Sequence, residues 1–245
     1  MKLNNKILAI IWDFDGTIAD SRMKNFSVTK KLMNDIVGPD SKKFPVLQSL
    51  DDYHSAHIKA TNWRDFYKES FNLTDEQVNE AGRLWTEYQL KDQNPVPIFN
   101  GVRDTIKLLS AYLQGIVSQN SRENIIRYLK EKNIYNYFRA VVGYEEVHIT
   151  KQKPIPDGLL LGIEKLVNSD SGYVFYIGDH ETDAWCVKNA NDVLASRNQN
   201  LKIVSIGAFY GYEVNTSSWS KLPDLEVRNA EKVLDSINRY LNNQS

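Results

Sequence analysis

Carboxylates at the ends of apolar runs are the residues in this chain best suited to chemistry. Asp13 and Asp15 stand two apart in Trp12-Asp13-Phe14-Asp15-Gly16-Thr17, directly after the apolar run 7–11. Asp179 and Asp183 stand four apart in Gly178-Asp179-His180-Glu181-Thr182-Asp183, directly after a second apolar run, 173–177. Neighbouring carboxylates repel each other, so such pairs call for a cation or a shared proton. Oxygen ligands with few other donors suit Mg2+, which keeps several waters and takes one or two carboxylates. The bland alternatives are a solvated polar turn for the first pair and helix N-terminal acids, favoured by the macrodipole, for the second.

Two more stretches carry suitable groups. Ser118-Gln119-Asn120-Ser121 follows the apolar segment 113–117. A hydroxyl beside the unpaired N–H groups that open a helix can hold a phosphate oxygen. Taken alone, a plain helix cap by Asn120 or Ser121 is the commoner use of these residue types. Lys153 precedes Pro154-Ile155-Pro156-Asp157, whose prolines stiffen the chain just before a helix. A fixed ammonium would neutralise phosphate and a neighbouring aspartate. Lys151 competes for that role, and the Lys-Pro-x-Pro sequence favours Lys153.

The elements that must position these groups follow from periodicity. The short, continuous, β-branched run 7–11 reads as a buried strand. Residues 22 to about 92 read as a helical bundle, with Asn62 capping a helix that carries Trp63, Phe66, Tyr67 and Phe71. Thr74-Asp75-Glu76-Gln77 fits a capping box. Leu47, Leu50, His54, His57 and Ile58 fall on one predicted inward stripe. Pro95 and Pro97 mark a linker. Helix and strand then alternate: strands at 113–117, 140–142, 173–177 and 202–206, helices at 102–110, 121–132, 156–167, 181–190 and 229–241. Alternation of this kind predicts an α/β fold, a parallel sheet with helices on both faces. All four chemical stretches then lie where such a sheet binds ligands, outside the carboxyl ends of strands.

The 245 residues suffice for one large α/β domain or a domain with an inserted unit. A net charge of −1 with no long basic run gives no electrostatic support for a nucleic-acid partner. The single cysteine, Cys186, excludes an internal disulfide and a cysteine zinc cluster and fits a reducing, cytoplasmic setting. Lys2 and Lys6 flank a short apolar run that leads straight into Asp13, so neither a signal peptide nor a membrane span is expected.

Asp13-x-Asp15-Gly16-Thr17, Ser118, Lys153-Pro154 and Gly178-Asp179-x-x-x-Asp183 together resemble, in order, the four motifs of the haloacid dehalogenase-like hydrolases. The resemblance covers the whole chain. It implies a Rossmann-like parallel-sheet core, 1–20 plus 96–245, with an all-α cap of C1 type at 21–95. It implies that Asp13 attacks phosphorus to form an aspartyl phosphate. Asp15 would protonate the leaving oxygen and then activate water, with its backbone carbonyl on Mg2+. Ser118 and Lys153 would hold and balance the phosphoryl oxygens, with Gly16 and Gln119 beside them. Asp179 would bind the metal directly, and Asp183 directly or through water.

An aspartate at 15 disfavours the dehalogenase and phosphonatase branches, which depart from Asp-x-Asp here. The sequence is most similar to phosphoglycolate-phosphatase-type enzymes: a Mg2+-dependent phosphatase of a small organic phosphate monoester. A phosphomutase of the β-phosphoglucomutase type and a non-catalytic binding module are the alternatives. The expected partner is a small-molecule phosphate ester, without nucleic acid or membrane, for a monomer or homodimer. Gln119 departs from the family, which often has Asn directly after the motif's Ser or Thr; here Asn120 comes one residue later. The cap should choose the substrate, with His54, His57, Lys59 and Arg64 as candidates to reach the site, whereas Trp63, Phe66, Tyr67 and Trp85 fit cap core.

Overall fold

The computed structural model describes residues 6–60, 62–169, 171–197, 199–212 and 214–244. Lys2 lies outside these described residues. In chain order come β1 (Ile7–Trp12), α1 (Arg22–Val37), α2 (Leu50–His57), α3 (Trp63–Phe71) and α4 (Asp75–Lys91). Alternation follows: α5 (Val102–Leu108), β2 (Leu113–Val117), α6 (Arg122–Glu131), β3 (Ala140–Val142), α7 (Asp157–Leu166), β4 (Ser171–Gly178), α8 (Glu181–Ser196), β5 (Asn200–Ala208), β6 (Leu225–Val227) and α9 (Val233–Asn242). The chain divides into two compact units, residues 1–19 with 98–245, and residues 20–97.

The first unit is a six-stranded sheet in the order β3-β2-β1-β4-β5-β6, with every neighbouring pair parallel. Parallel sheets need both faces covered, which is why β1 is continuously apolar. Ala9, Ile10, Ile11 and Trp12 are fully buried. On one face Leu159 and Ile163 of α7 and Cys186 and Val187 of α8 pack with Ile11, Val117, Val174 and Tyr176. From β1 the chain runs outward through β2 and β3, then returns to β4 on β1's other side. That reversal is the switch point at which open α/β sheets leave a crevice, and it places the carboxyl ends of β1 and β4 side by side.

The second unit is helical. Asn62 accepts from the backbone N–H groups of Arg64 and Asp65, and Thr74 with Gln77 forms the capping box. Phe66, Tyr67 and Phe71 are buried, and Trp63 and Trp85 pack against that cluster. Thr29 Oγ1 lies 3.2 Å from the Tyr53 hydroxyl and 3.4 Å from that of Tyr67, a buried polar knot inside the apolar core. Asp92, just past α4, accepts from Ser27 (2.9 Å) and Lys31 (2.7 Å) of α1 and from the backbone and side chain of Asn94.

Three expectations are corrected. Of the expected stripe Leu47 is buried, but the inward residue of α2 itself is Tyr53, while His57 is exposed and Ile58 is 48 % exposed; the helix is too short for periodicity to fix its inward face. The helix after β4 runs on to Ser196, six residues past its expected end, because no breaker intervenes. A sixth strand, β6, closes the sheet edge; it is as short as β3 but is interrupted by Glu226, so it shows no apolar run.

Candidate active site

β1 ends at Trp12, but the Asp13 N–H still donates to the Ile177 carbonyl at 2.7 Å, which ties the first acidic residue to the end of β4. The chain then folds back on itself, with the N–H groups of Ile18 and Ala19 both donating to the Phe14 carbonyl. Gly16 makes that turn with φ +77°, and a side chain there would collide with the Asp179 carboxylate. Asp179 thus lies over the glycine and accepts from Thr17 Oγ1 at 3.0 Å. The Tyr210 hydroxyl donates to the Thr17 carbonyl at 2.8 Å and braces the same turn.

Asp183 is the third residue of α8, and its Oδ2 accepts from the His180 N–H at 3.1 Å. Its Oδ1 receives Lys153 Nζ at 2.8 Å and the Tyr176 hydroxyl lies 3.1 Å from the same oxygen. Lys153 Nζ also reaches Asp13 Oδ1 at 2.7 Å, so one buried ammonium serves carboxylates from two strand ends. Lys151 instead pairs at the surface with Asp157, 3.2 Å away. Ser118 follows β2, its N–H bonded to the Val142 carbonyl and its Oγ accepting from the Asn120 N–H at 3.3 Å. Capping of α6 falls to Ser121, whose hydroxyl accepts from the Asn124 N–H. Gln119 Nε2 donates to the Lys153 carbonyl at 3.0 Å, which ties the loop after β2 to the Lys-Pro segment.

One carboxylate oxygen from each of Asp13, Asp179 and Asp183 lies within 4.8 Å of the others. The Asp15 carboxylate is not in that group; its Oδ2 accepts from Asn120 Nδ2 at 2.8 Å. The Asp15 side chain is thus directed to Asn120 and is not one of the three clustered carboxylates. Charge in the cluster is unbalanced. Burial pushes the Asp13 carboxyl up to about 7, with Lys153 opposing and Asp183 and Asp15 adding to the rise. Burial, with Asp13 and Asp183 nearby, also pushes Asp179 well above the usual carboxylate range. Burial would lower the Lys153 ammonium, but Asp13 and Asp183 outweigh it and push it up, so it stays charged. One cation cannot neutralise three carboxylates. An all-oxygen set short of positive charge fits a hard divalent ion such as Mg2+.

Sequence reasoning missed four members. Thr17 was only part of a motif, and Asn120 read as a cap. Tyr176 lies inside a strand whose periodicity gives no hint of its hydroxyl. Tyr210 follows β5, and no local pattern ties it to Thr17. Of the helical unit's candidates, Arg64 is engaged within its own unit, with Asn79 at 2.8 Å and against the Trp63 ring. His57 packs its ring against Phe66.

The model of the haloacid dehalogenase-like hydrolase family matches residues 10–195. A relative from Listeria monocytogenes named pyrophosphatase PpaX is 27 % identical over 205 residues, covering 79 % of this chain and 84 % of its own. One from Synechococcus elongatus named phosphoglycolate phosphatase is 23 % identical over 239 residues, covering 95 % and 98 %. A solved structure from Bacteroides fragilis, named as a haloacid dehalogenase-like hydrolase, has a TM-score of 0.74 at 20 % identity and covers 93 % of this chain and 100 % of that one.

Proposed function

Because the chain belongs to the haloacid dehalogenase-like hydrolases, we propose that it is a Mg2+-dependent phosphatase of a small organic phosphate monoester, phosphoglycolate-like, working through an aspartyl phosphate on Asp13. The observation that carries this reading is the Lys153 ammonium shared by Asp13 and Asp183 inside the three-carboxylate cluster. Relatives named for phosphatase and pyrophosphatase activities support it.

Asp13, Asp179 and Asp183, with the Asp15 carbonyl, would hold the ion, which when bound offsets negative charge so that a carboxylate can meet an anionic phosphate. The chain's own groups do the rest, since phosphoryl transfer is mainly positioning and charge stabilisation. Asp13 forms the bond to phosphorus. Asp15 gives a proton to the leaving oxygen and later takes one from the water that frees Asp13. Ser118 donates to a phosphoryl oxygen, and Lys153 balances the oxygens' charge while opposing the burial that raises the Asp13 carboxyl. Gly16 and Gln119 border the same space. The helical unit, 20–97, acts as a cap of C1 type that chooses the substrate. Among the described residues no helix is long and apolar enough to cross a membrane. A cytoplasmic setting, supported by the single buried Cys186, and a monomeric or homodimeric state belong to this proposal.

The test is phosphate release from a panel of phosphomonoesters and inorganic pyrophosphate, with Mg2+ or EDTA, for the wild type and Asp13→Asn. Release that needs the metal and disappears in the variant is expected. Isomerisation of a sugar phosphate without net release would point to a mutase, and a folded protein inert on the whole panel would point to a binding module.

A further inference from the structure

Asn120 lies two residues beyond Ser118, between β2 and α6, and its side chain is buried. Its amide orientation follows from its neighbours. Arg127 can only donate, and its Nη2 meets Asn124 Oδ1 at 3.4 Å. That leaves the Asn124 NH2 to face Asn120, and it donates to Asn120 Oδ1 at 3.1 Å. The same oxygen accepts the Ser121 N–H at 2.8 Å. The Asn120 NH2 is therefore turned toward Asp15 and donates to its Oδ2 at 2.8 Å. Every donor in this series, from Arg127 to Asn124 to Asn120, points toward Asp15. An amide NH2 cannot accept, so Oδ2 has an acceptor's role whether or not Asp15 carries a proton.

We propose that Asn120 is a positioning residue for Asp15, holding Oδ2 as an acceptor through both half-reactions so that the transferred proton is carried on Oδ1. The inference rests on the acid/base reading of Asp15 given above. In the first half-reaction the bond from Asp13 to phosphorus forms and the ester bond breaks, and the Oδ1 proton passes to the leaving oxygen. In the second, water attacks phosphorus, its proton passes to Oδ1, and the Asp13–phosphorus linkage breaks.

The test compares two esters with Mg2+ present: an alkyl phosphate, whose leaving oxygen needs the proton, and p-nitrophenyl phosphate, whose leaving oxygen needs it little. Values of kcat/KM are measured for the wild type, Asn120→Ala, Asn124→Ala and Asp15→Asn. Asn120→Ala is expected to lose about ten- to hundredfold on the alkyl ester, a part of what general acid catalysis contributes, and less than about threefold on the aryl ester. Asn124→Ala, which removes one of the two donors that fix the Asn120 amide and leaves the Ser121 N–H, should show the same selectivity in weaker form. A loss merely structural in origin would fall on both esters alike. Equal losses for Asn120→Ala alongside a selective loss for Asp15→Asn would overturn the inference and leave the acid/base reading standing. Equal losses for Asp15→Asn would overturn that reading and the inference with it. If Asn120→Ala does not fold, judged by circular dichroism, Asn124→Ala decides by the same ratio.

Discussion

Gly16→Ala is the substitution that most directly links local backbone geometry to the acidic cluster. At φ +77° an alanine suffers the left-handed penalty, about 1–2 kcal/mol. Its methyl would also occupy the space of the Asp179 carboxylate, so Asp179 must move and give up the hydrogen bond from Thr17. A hydrogen bond of this kind contributes about 0.5–1.5 kcal/mol net. Together these give a loss of about 1.5–3.5 kcal/mol, which for a unit of this size lowers Tm by about 3–14 °C. The displaced carboxylate is one of the three that would hold Mg2+, so affinity for the ion should fall as well. Differential scanning calorimetry reads the first effect, and isothermal titration with Mg2+ reads the second. A variant with wild-type Tm and wild-type affinity would refute the reasoning at both steps.

Replacement of Lys153 by Met leaves two buried carboxylates without their ammonium and should cost about 3–5 kcal/mol in urea unfolding, while Lys151→Met, which removes an exposed pair, should change stability by less than about 1 kcal/mol. Equal effects of the two would show that the ammonium shared in the structure is not shared in solution. Asp92 makes an acid-sensitive tie within the helical unit. Burial works to raise its pKa, but hydrogen bonds from Lys31, Asn94 and Ser27 outweigh this and hold it down at about 2. A carboxyl depressed on folding stabilises above its unfolded value of 3.8 and loses that contribution as pH falls toward 2, so the tie contributes about 2 kcal/mol at pH 7 and almost nothing at pH 2. Asp92→Asn should accordingly speed hydrogen exchange in α1 and α4 at pH 7 by about thirtyfold, and an unchanged exchange rate would count against it. Tyr176→Phe removes the hydroxyl between Val117 and Asp183 and should cost about 1 kcal/mol in the same unfolding assay, with the larger consequence in weakened Mg2+ binding. Wild-type Mg2+ affinity in that variant would separate the hydroxyl from the metal site.

Much of the site was legible because its residues are local to signals that sequence displays well. Asp13 and Asp179 each end a run of β-branched and aromatic residues, and such runs in a parallel sheet announce where the strand stops. Asp183 was legible for a related reason, since a first-turn acid four residues on from Asp179 must return to the same strand end. The preference for Lys153 over Lys151 came from the prolines, and the structure indeed turns Lys153 inward and Lys151 outward. Contacts between residues far apart in the chain were invisible. Asn120 and Asp15 are 105 residues apart, and nothing local distinguishes an asparagine that caps a helix from one that reaches a carboxylate. Tyr176 hides its hydroxyl in an apolar strand, and Tyr210 meets Thr17 across 193 residues. The edge strand Leu225–Val227 is hidden because Glu226 breaks its apolar run, where the equally short Ala140–Val142 is continuous, and the inward face of α2 is hidden because eight residues leave it to be decided by neighbours such as Phe66.

The central claim is that Asp13 takes the phosphoryl group. The most direct measurement is mass spectrometry of the protein quenched in acid during turnover of its best ester with Mg2+. The account predicts one added phosphoryl mass on the peptide that contains Asp13, chased away by further incubation and missing in Asp13→Asn. Turnover that proceeds with no such adduct, or with the adduct on another residue, would contradict it.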